Sequence, residues 1–195
     1  MKNYVIICAL AMVTTNLSQA QNKELPYYEI PDYPETYTAT NVAARMLDGL
    51  GFRYYWATEG LRDEDLKYKP SEEGRTTSET IDHLHGLTTF VLNSALKKVH
   101  EGVDVSGMSF EEKRKQTLMN IKEAADILRT TEDDLSEFKI VFQRGENTTE
   151  FPFWNNINGP IADALWHCGQ VVLLRRASGN PFNSKASVFT GKVRQ

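Results

Sequence analysis

The sequence predicts an all-α protein, a four-helix bundle with long connecting loops. Three observations carry that expectation. Apolar residues recur three or four positions apart in four separate segments, the period of an amphipathic helix. Two of those segments open on capping-box patterns, Thr76 with Glu79 and Ser109 with Glu112. The last is bracketed by Pro160 near its start and by Gly179-Asn180-Pro181 at its end, the asymmetry expected of a helix. No internal repeat and no reliable strand series competes with this reading.

Taken in order, residues 1–20 read as a secretory signal peptide. Met1-Lys2-Asn3 is a short basic start, Tyr4 to Val13 (YVIICALAMV) is an apolar core, and Ser18 and Ala20 supply the small residues of a cleavage site before Gln21. The core is too short to span a bilayer, and Cys8 lies inside it, not at a lipid-attachment point. Residues 21–37, with PYYEIPDYPET, form an extended lead-in. The first helix runs from about Thr38 to Gly60 through Ala39, Val42, Ala43, Met46, Leu50, Tyr54 and Ala57.

DEDLKYKPSEEGR is polar and broken by Pro70 and Gly74, and so reads as a long loop. Helix two follows Thr76 and runs to about His100 through Ile81, Leu84, Leu87, Val91 and Ala95. Helix three opens at Ser109 and carries Phe110, Leu118, Ile121, Ala125 and Leu128. TTEDDLSEF starts a further short helical piece, KIVFQ is an apolar run of undecided type, and RGENTTEFPFWNNI reads as an irregular excursion. Asn147-Thr148-Thr149 within it matches a glycosylation sequon. Helix four begins near Asn158-Gly159-Pro160 and ends at Ser178-Gly179, with Arg175 and Arg176 in its last turns where positive charge is favourable. Residues 183–195 form a tail.

Composition narrows the function classes. Of 195 residues, removal of the first 20 leaves 175, a length that fits one domain with a substantial core. The formal charge of −4 then becomes −5, and no basic tract or basic helix face is present, which argues against a nucleic-acid partner. Cys168 is the single cysteine left after cleavage, so no internal disulfide can form. The expected location is periplasmic or secreted, with no stable membrane insertion once the signal is removed. Trp56, Trp154 and the Tyr54-Tyr55 pair either pack the bundle or cover a homodimer interface.

The chemistry concentrates in GPIADALWHCGQVVLLRRASGNP, Gly159 to Pro181. Asp163 and His167 are four apart and project from one face, with Pro160, Ala164, Val171 and Leu174 around it. A carboxylate on an inward face needs compensation, because burying an unpaired charge is costly. A divalent ion supplies it, and imidazole with carboxylate suits zinc, iron, nickel or manganese. The plainer reading is that Asp163 orients a neutral His167 in a polar network. A third ligand has to come from another helix. His83 and His85 are the candidates, and they flank the apolar arc of helix two on opposite sides, so periodicity does not choose between them. His100 is expected to face solvent, and Cys168 to be a small buried hydrophobe outside any ligand set.

YKPSEEGRTTSETIDHLHGL and GPIADALWHCGQVVLLRRASGNP together resemble the DinB-like (DinB/YfiT) superfamily of bacterial metal-binding four-helix bundles. The resemblance covers residues 38–182. It implies a metal ligand at His83, in the His-Leu that follows a Pro-containing loop and a helix-opening Arg-Thr, and a second at His167, which precedes Gly169-Gln170. Asp163 stands where the family commonly has another histidine. The implied set is therefore His83, Asp163 and His167 around one divalent ion, with His85 outside it; Gln170, one turn beyond His167, is placed to hydrogen-bond a ligand or the groups around the metal ligands, or else to cap core polar groups.

The family includes thiol-dependent S-transferases and isomerases, in which the metal promotes a thiolate. Export weakens that version, since cytosolic thiols are scarce beyond the membrane, and a hydrolytic version would use water. The resemblance thus implies a metal-dependent transferase or hydrolase acting on a small molecule. A non-catalytic metal- or ligand-binding bundle is the alternative.

Overall fold

The computed structural model describes residues 25–195. The expected signal peptide, residues 1–20, lies outside the described residues. Four main helices form a bundle: α1 (Ala39–Thr58), α3 (Thr77–Ala95), α4 (Phe110–Thr130) and α6 (Ala162–Ala177). A short helix, α2 (Asp63–Lys67), lies between α1 and α3, in the stretch expected to be loop. Asp63, Glu64 and Asp65 all fall in its first turn, where acidic side chains complement the helix dipole.

The starts of the helices follow from local side-chain chemistry. Thr38 Oγ1 accepts from the Asn41 amide at 3.1 Å. Both capping boxes form: the Glu79 amide donates to Thr76 Oγ1 while the Thr76 amide donates to Glu79 Oε2, and Ser109 and Glu112 exchange the same pair. Helix α3 ends at Ala95, short of the expected His100, because Lys97 takes a left-handed φ of 53°. Gly179, at φ 85°, ends α6 as expected.

Helix α1 packs on α4 and α6, and α3 packs on the same two. Chain neighbours α1 and α3 are therefore diagonal in the bundle, as are α4 and α6. That arrangement accounts for two of the long connections, α1 to α3 and α4 to α6, each of which must cross from one corner to the opposite one. Leu47, Leu84, Leu118, Ile121, Leu128 and Ile161 fill the interior, each 1% exposed or less. Tyr54, Tyr55 and Trp56 belong to this core, whereas Trp154 is 69% exposed.

Two corrections concern the region before α6. KIVFQ and the expected irregular excursion form an antiparallel hairpin, β1 (Ile140–Arg144) with β2 (Asn147–Phe151). Its two-residue connection places Gly145 first at φ 61°, the position where such turns require glycine. The sequon Asn147 to Thr149 lies on exposed β2. The last helical stretch also starts earlier than Asn158. Helix α5 (Trp154–Asn156) runs through a π-helical segment, Ile157–Ile161, into α6. Pro160 is therefore inside the stretch, not in its first turn. Proline has no amide to donate, and a wider π turn is a known way for a helix to absorb such a lost bond.

The ends of the described chain meet. Ile30 donates its amide to Gly191 O at 2.9 Å, beside the small β3–β4 pair (Ala186–Ser187 with Lys192–Val193). Gly191 has to be glycine here: its φ is 67°, and a Cβ would sit 2.4 Å from Ile30 Cδ1. Among the described residues, no helix is long and apolar enough to cross a membrane.

Candidate metal centre

Helices α3 and α6 are neighbours in the bundle, and their facing edges bring His83, Asp163 and His167 together. One potential ligand atom from each lies within 4.8 Å of the others. His83 Nε2 is 3.2 Å from Asp163 Oδ2, and His167 Nε2 is 3.3 Å from Asp163 Oδ1. The imidazole rings are edge to face with centroids 4.6 Å apart. Asp163 thus sits between both histidines, presenting one carboxylate oxygen to each. The spacing of four on α6 sets the Asp163–His167 contact, while the packing of α3 against α6 supplies His83.

Gln170 decides the state of His167. Its Oε1 lies 2.6 Å from His167 Nδ1. A carbonyl oxygen only accepts, so Nδ1 carries a proton, and in the neutral ring Nε2 is then a bare lone pair. That lone pair faces the carboxylate oxygen of Asp163. Two electron-rich atoms at 3.3 Å repel unless a proton or a cation lies between them. Two ligands each about 2.1 Å from a tetrahedral ion are about 3.4 Å apart, close to the 3.2 and 3.3 Å of the two His–Asp pairs, which use different carboxylate oxygens; the three ligand atoms together lie within 4.8 Å of one another. Two imidazoles and one carboxylate fit a divalent zinc, iron, nickel or manganese ion.

The site is partly open. The side chains of His83 and Asp163 are each 36% exposed and that of His167 is 12% exposed. The inward carboxylate expected from the sequence is therefore a carboxylate at the rim, next to buried Ala164 and Ile161.

The remaining histidines and the cysteine lie elsewhere. His85 is 2% exposed and pairs through Nδ1 with Thr117 Oγ1 on α4 at 3.0 Å. Burial holds its pKa below the ordinary imidazole value. His100, expected to face solvent, is half-buried and stacks on Phe90 at 3.5 Å between centroids; the β1 strand draws it in, since the His100 amide donates to Val141 O. Cys168 is buried, and burial pushes its thiol up to about 12. A thiol held that high is neither a ready ligand nor a nucleophile.

Two clefts border the triad, and sequence reading singled out neither. One, of 470 Å³, is lined by His167 and Gln170 with Tyr68, Arg75 and Thr80. The other, of 310 Å³, is lined by Asp163 with Phe90, Phe142 and Phe151, and Gly159 and Pro160 also border it. The signals available in the sequence were the alternation of Ile140 and Phe142 and the Gly145 turn, which together specify a strand face. Comparison with protein-family models, with curated proteins and with solved structures finds no match.

Proposed function

We propose that this chain is an exported metal-dependent enzyme whose reaction centre is His83, Asp163 and His167, and that its reaction is a hydrolysis. One observation carries the reading: Nε2 of His167, whose Nδ1 is engaged by Gln170, faces a carboxylate that also meets His83. That arrangement holds a proton or a cation between the two groups, and a divalent ion satisfies all three donors at once. A divalent ion held there supplies Lewis acidity, drawing electron density from whatever it binds.

The chain's own residues supply the rest. Gln170 holds His167 in one tautomer and one orientation, a support that commonly changes metal affinity by about 10- to 100-fold. Asp163 brings the negative charge of the set and spans the two imidazoles. The two clefts give a small molecule access from either side of the triad. Hydrolysis is preferred to thiol transfer because the amino-terminal signal directs the protein away from cytosolic thiols. The likeness to DinB-like bundles is part of this proposal; it rests on the order of donors, one early in the helix after the Pro70 loop and two on the last long helix.

Two measurements test the reading. Calorimetric titration of untagged protein with zinc should show one equivalent bound, and no saturable binding would overturn the metal centre. Mass spectrometry of protein from its native host should give an amino terminus at Gln21. Retention of Met1 would overturn export, and with it the preference for hydrolysis.

A further inference from the structure

The two clefts differ in chemistry, and each is bordered by one residue of the triad. Asp163 lines one and His167, one helical turn on, lines the other. The smaller cleft has an aromatic side. The β1–β2 register pairs Ile140 with Phe151 and Phe142 with Thr149, and alternation along a strand puts Ile140, Phe142 and Phe151 on one face. Phe142 stands 6.0 Å from Phe151 and 5.7 Å from Phe90 on α3, ring centre to ring centre. These rings are not part of the bundle's buried core. Phe151 is 38% exposed.

The larger cleft has an apolar floor from Leu174 and Ala177, but it also carries Arg75. Arg75 is the single arginine or lysine lining it, and no Asp or Glu lines it. Among the described residues its guanidinium makes no hydrogen bond or ion pair; its charge is felt by Glu79 alone among the shifted carboxyls. Tyr68 lines the same cleft. One unpaired guanidinium matches one negative charge, and its planar fork suits a carboxylate. A phosphate dianion would leave a second charge uncompensated near Glu79.

We propose that the two clefts hold a single amphiphilic carboxylate laid across the triad, its anionic end on Arg75 and its apolar end between Phe90, Phe142 and Phe151. The bond to be hydrolysed then lies over His83, Asp163 and His167. This substrate class rests on the reading of the triad as the reaction centre.

N-Octanoylglycine serves as the probe, measured by calorimetry against the full chain with and without zinc. Its methyl ester removes the charge, and N-acetylglycine removes the apolar tail; each should bind at least about tenfold more weakly. Arg75→Gln should weaken the probe by a similar factor and leave its methyl ester unaffected. Gly159→Leu tests the other end. A Cβ at Gly159 meets nothing within 4 Å, and Gly159 borders the smaller cleft and not the one that holds Arg75, so leucine there narrows the smaller cleft and probe binding should fall.

Absence of saturable probe binding, equal binding of acid and ester, or indifference to R75Q overturns the spanning carboxylate. Zinc titration of the same variants separates this from the underlying reading, because neither R75Q nor G159L removes a metal ligand. Intact zinc binding with an indifferent probe overturns the substrate class alone. Lost zinc binding in the wild type, with probe binding still dependent on Arg75 and Gly159, overturns the metal centre and supports the spanning ligand.

Discussion

Asp163→Ala is expected to weaken zinc binding about 100-fold or more, and His83→Ala and His167→Ala to do the same. The magnitude follows from the geometry. Supporting residues around a metal already change affinity by about 10- to 100-fold, and each of these three is proposed as a direct donor. Asp163 matters in a second way, since it is the one anion of the set and lies 3.2 and 3.3 Å from the two imidazole nitrogens. Asp163→Asn is the sharper variant. It keeps the shape and one acceptor oxygen but removes the charge and turns the other acceptor into a donor, so it should lose zinc while the fold persists. His85→Gln is the control, because His85 points to Thr117 on α4 and not to the triad; zinc affinity should stay within about threefold, a difference of under 1 kcal/mol. Competition against a chromophoric chelator at pH 7 reads the wild type and all five variants, with thermal melts confirming that each is folded. Wild-type affinity in D163N would show that Asp163 is an orienting partner and no ligand, and equal loss in a folded H85Q would show that the loss does not single out the triad.

What could be read from the chain divides by the range of the interaction. The starts of α1, α3 and α4 are legible because Thr38, Thr76 and Ser109 bond to amides three residues away. The facing of Asp163 and His167 is legible for the same reason, being a spacing of four on one helix. The end of α3 is less so, because Lys97 adopts its left-handed φ without the usual glycine. Pro160 misleads: the rule that places proline in a first helical turn is sound, but here the π segment Ile157–Ile161 accommodates it in mid-helix. The hairpin escapes notice because β2, NTTEF, is exposed along its whole length and offers no apolar alternation.

Choosing between His83 and His85 needs knowledge of which helix lies on which side. Both flank the apolar arc of α3; the ring of contacts α1–α4–α3–α6 sends His83 toward α6 and His85 toward α4. The clefts are less legible still. They join side chains from the loop before α3, from α6 and from the hairpin, and nothing local encodes that meeting.

The second large effect concerns stability. Asp65→Asn is expected to lower the unfolding free energy at pH 7 by about 2–4 kcal/mol. Asp65, fully buried on α2, accepts five hydrogen bonds. Arg62 donates Nη2 to Oδ1, and its Nε and backbone amide to Oδ2; Ser178 Oγ adds one to Oδ1 at 2.6 Å and Asn180 Nδ2 one to Oδ2 at 2.7 Å. Asn180 in turn accepts from Arg175, which is 4% exposed and also donates to the Trp56 and Ala57 carbonyls at the end of α1. The carboxylate therefore ties α2 to the end of α6, where Arg175 joins α1. An amide at this position turns one acceptor into a donor and sets it against donors. Arg62 keeps much of its side chain in solvent, which is why the expected cost stops short of that of a wholly buried pair.

The pH dependence gives the test its sign. Arg62 first, then Ser178 and Asn180, hold the Asp65 carboxyl well below the usual carboxylate range, against the opposing effect of burial. Below about pH 3.9, the ordinary aspartate value, the unfolded chain takes up a proton that the folded chain does not, so stability falls with falling pH. The contribution is complete above about pH 4 and is lost as the pH drops toward the lower folded value. Urea unfolding from pH 7 down to 2.5 should therefore show a constant gap between wild type and D65N above about pH 4.5 that narrows below it. A gap under about 0.5 kcal/mol at pH 7, or one that stays constant to the acid end, would mean that the five donors are satisfied as well by water as by Asp65.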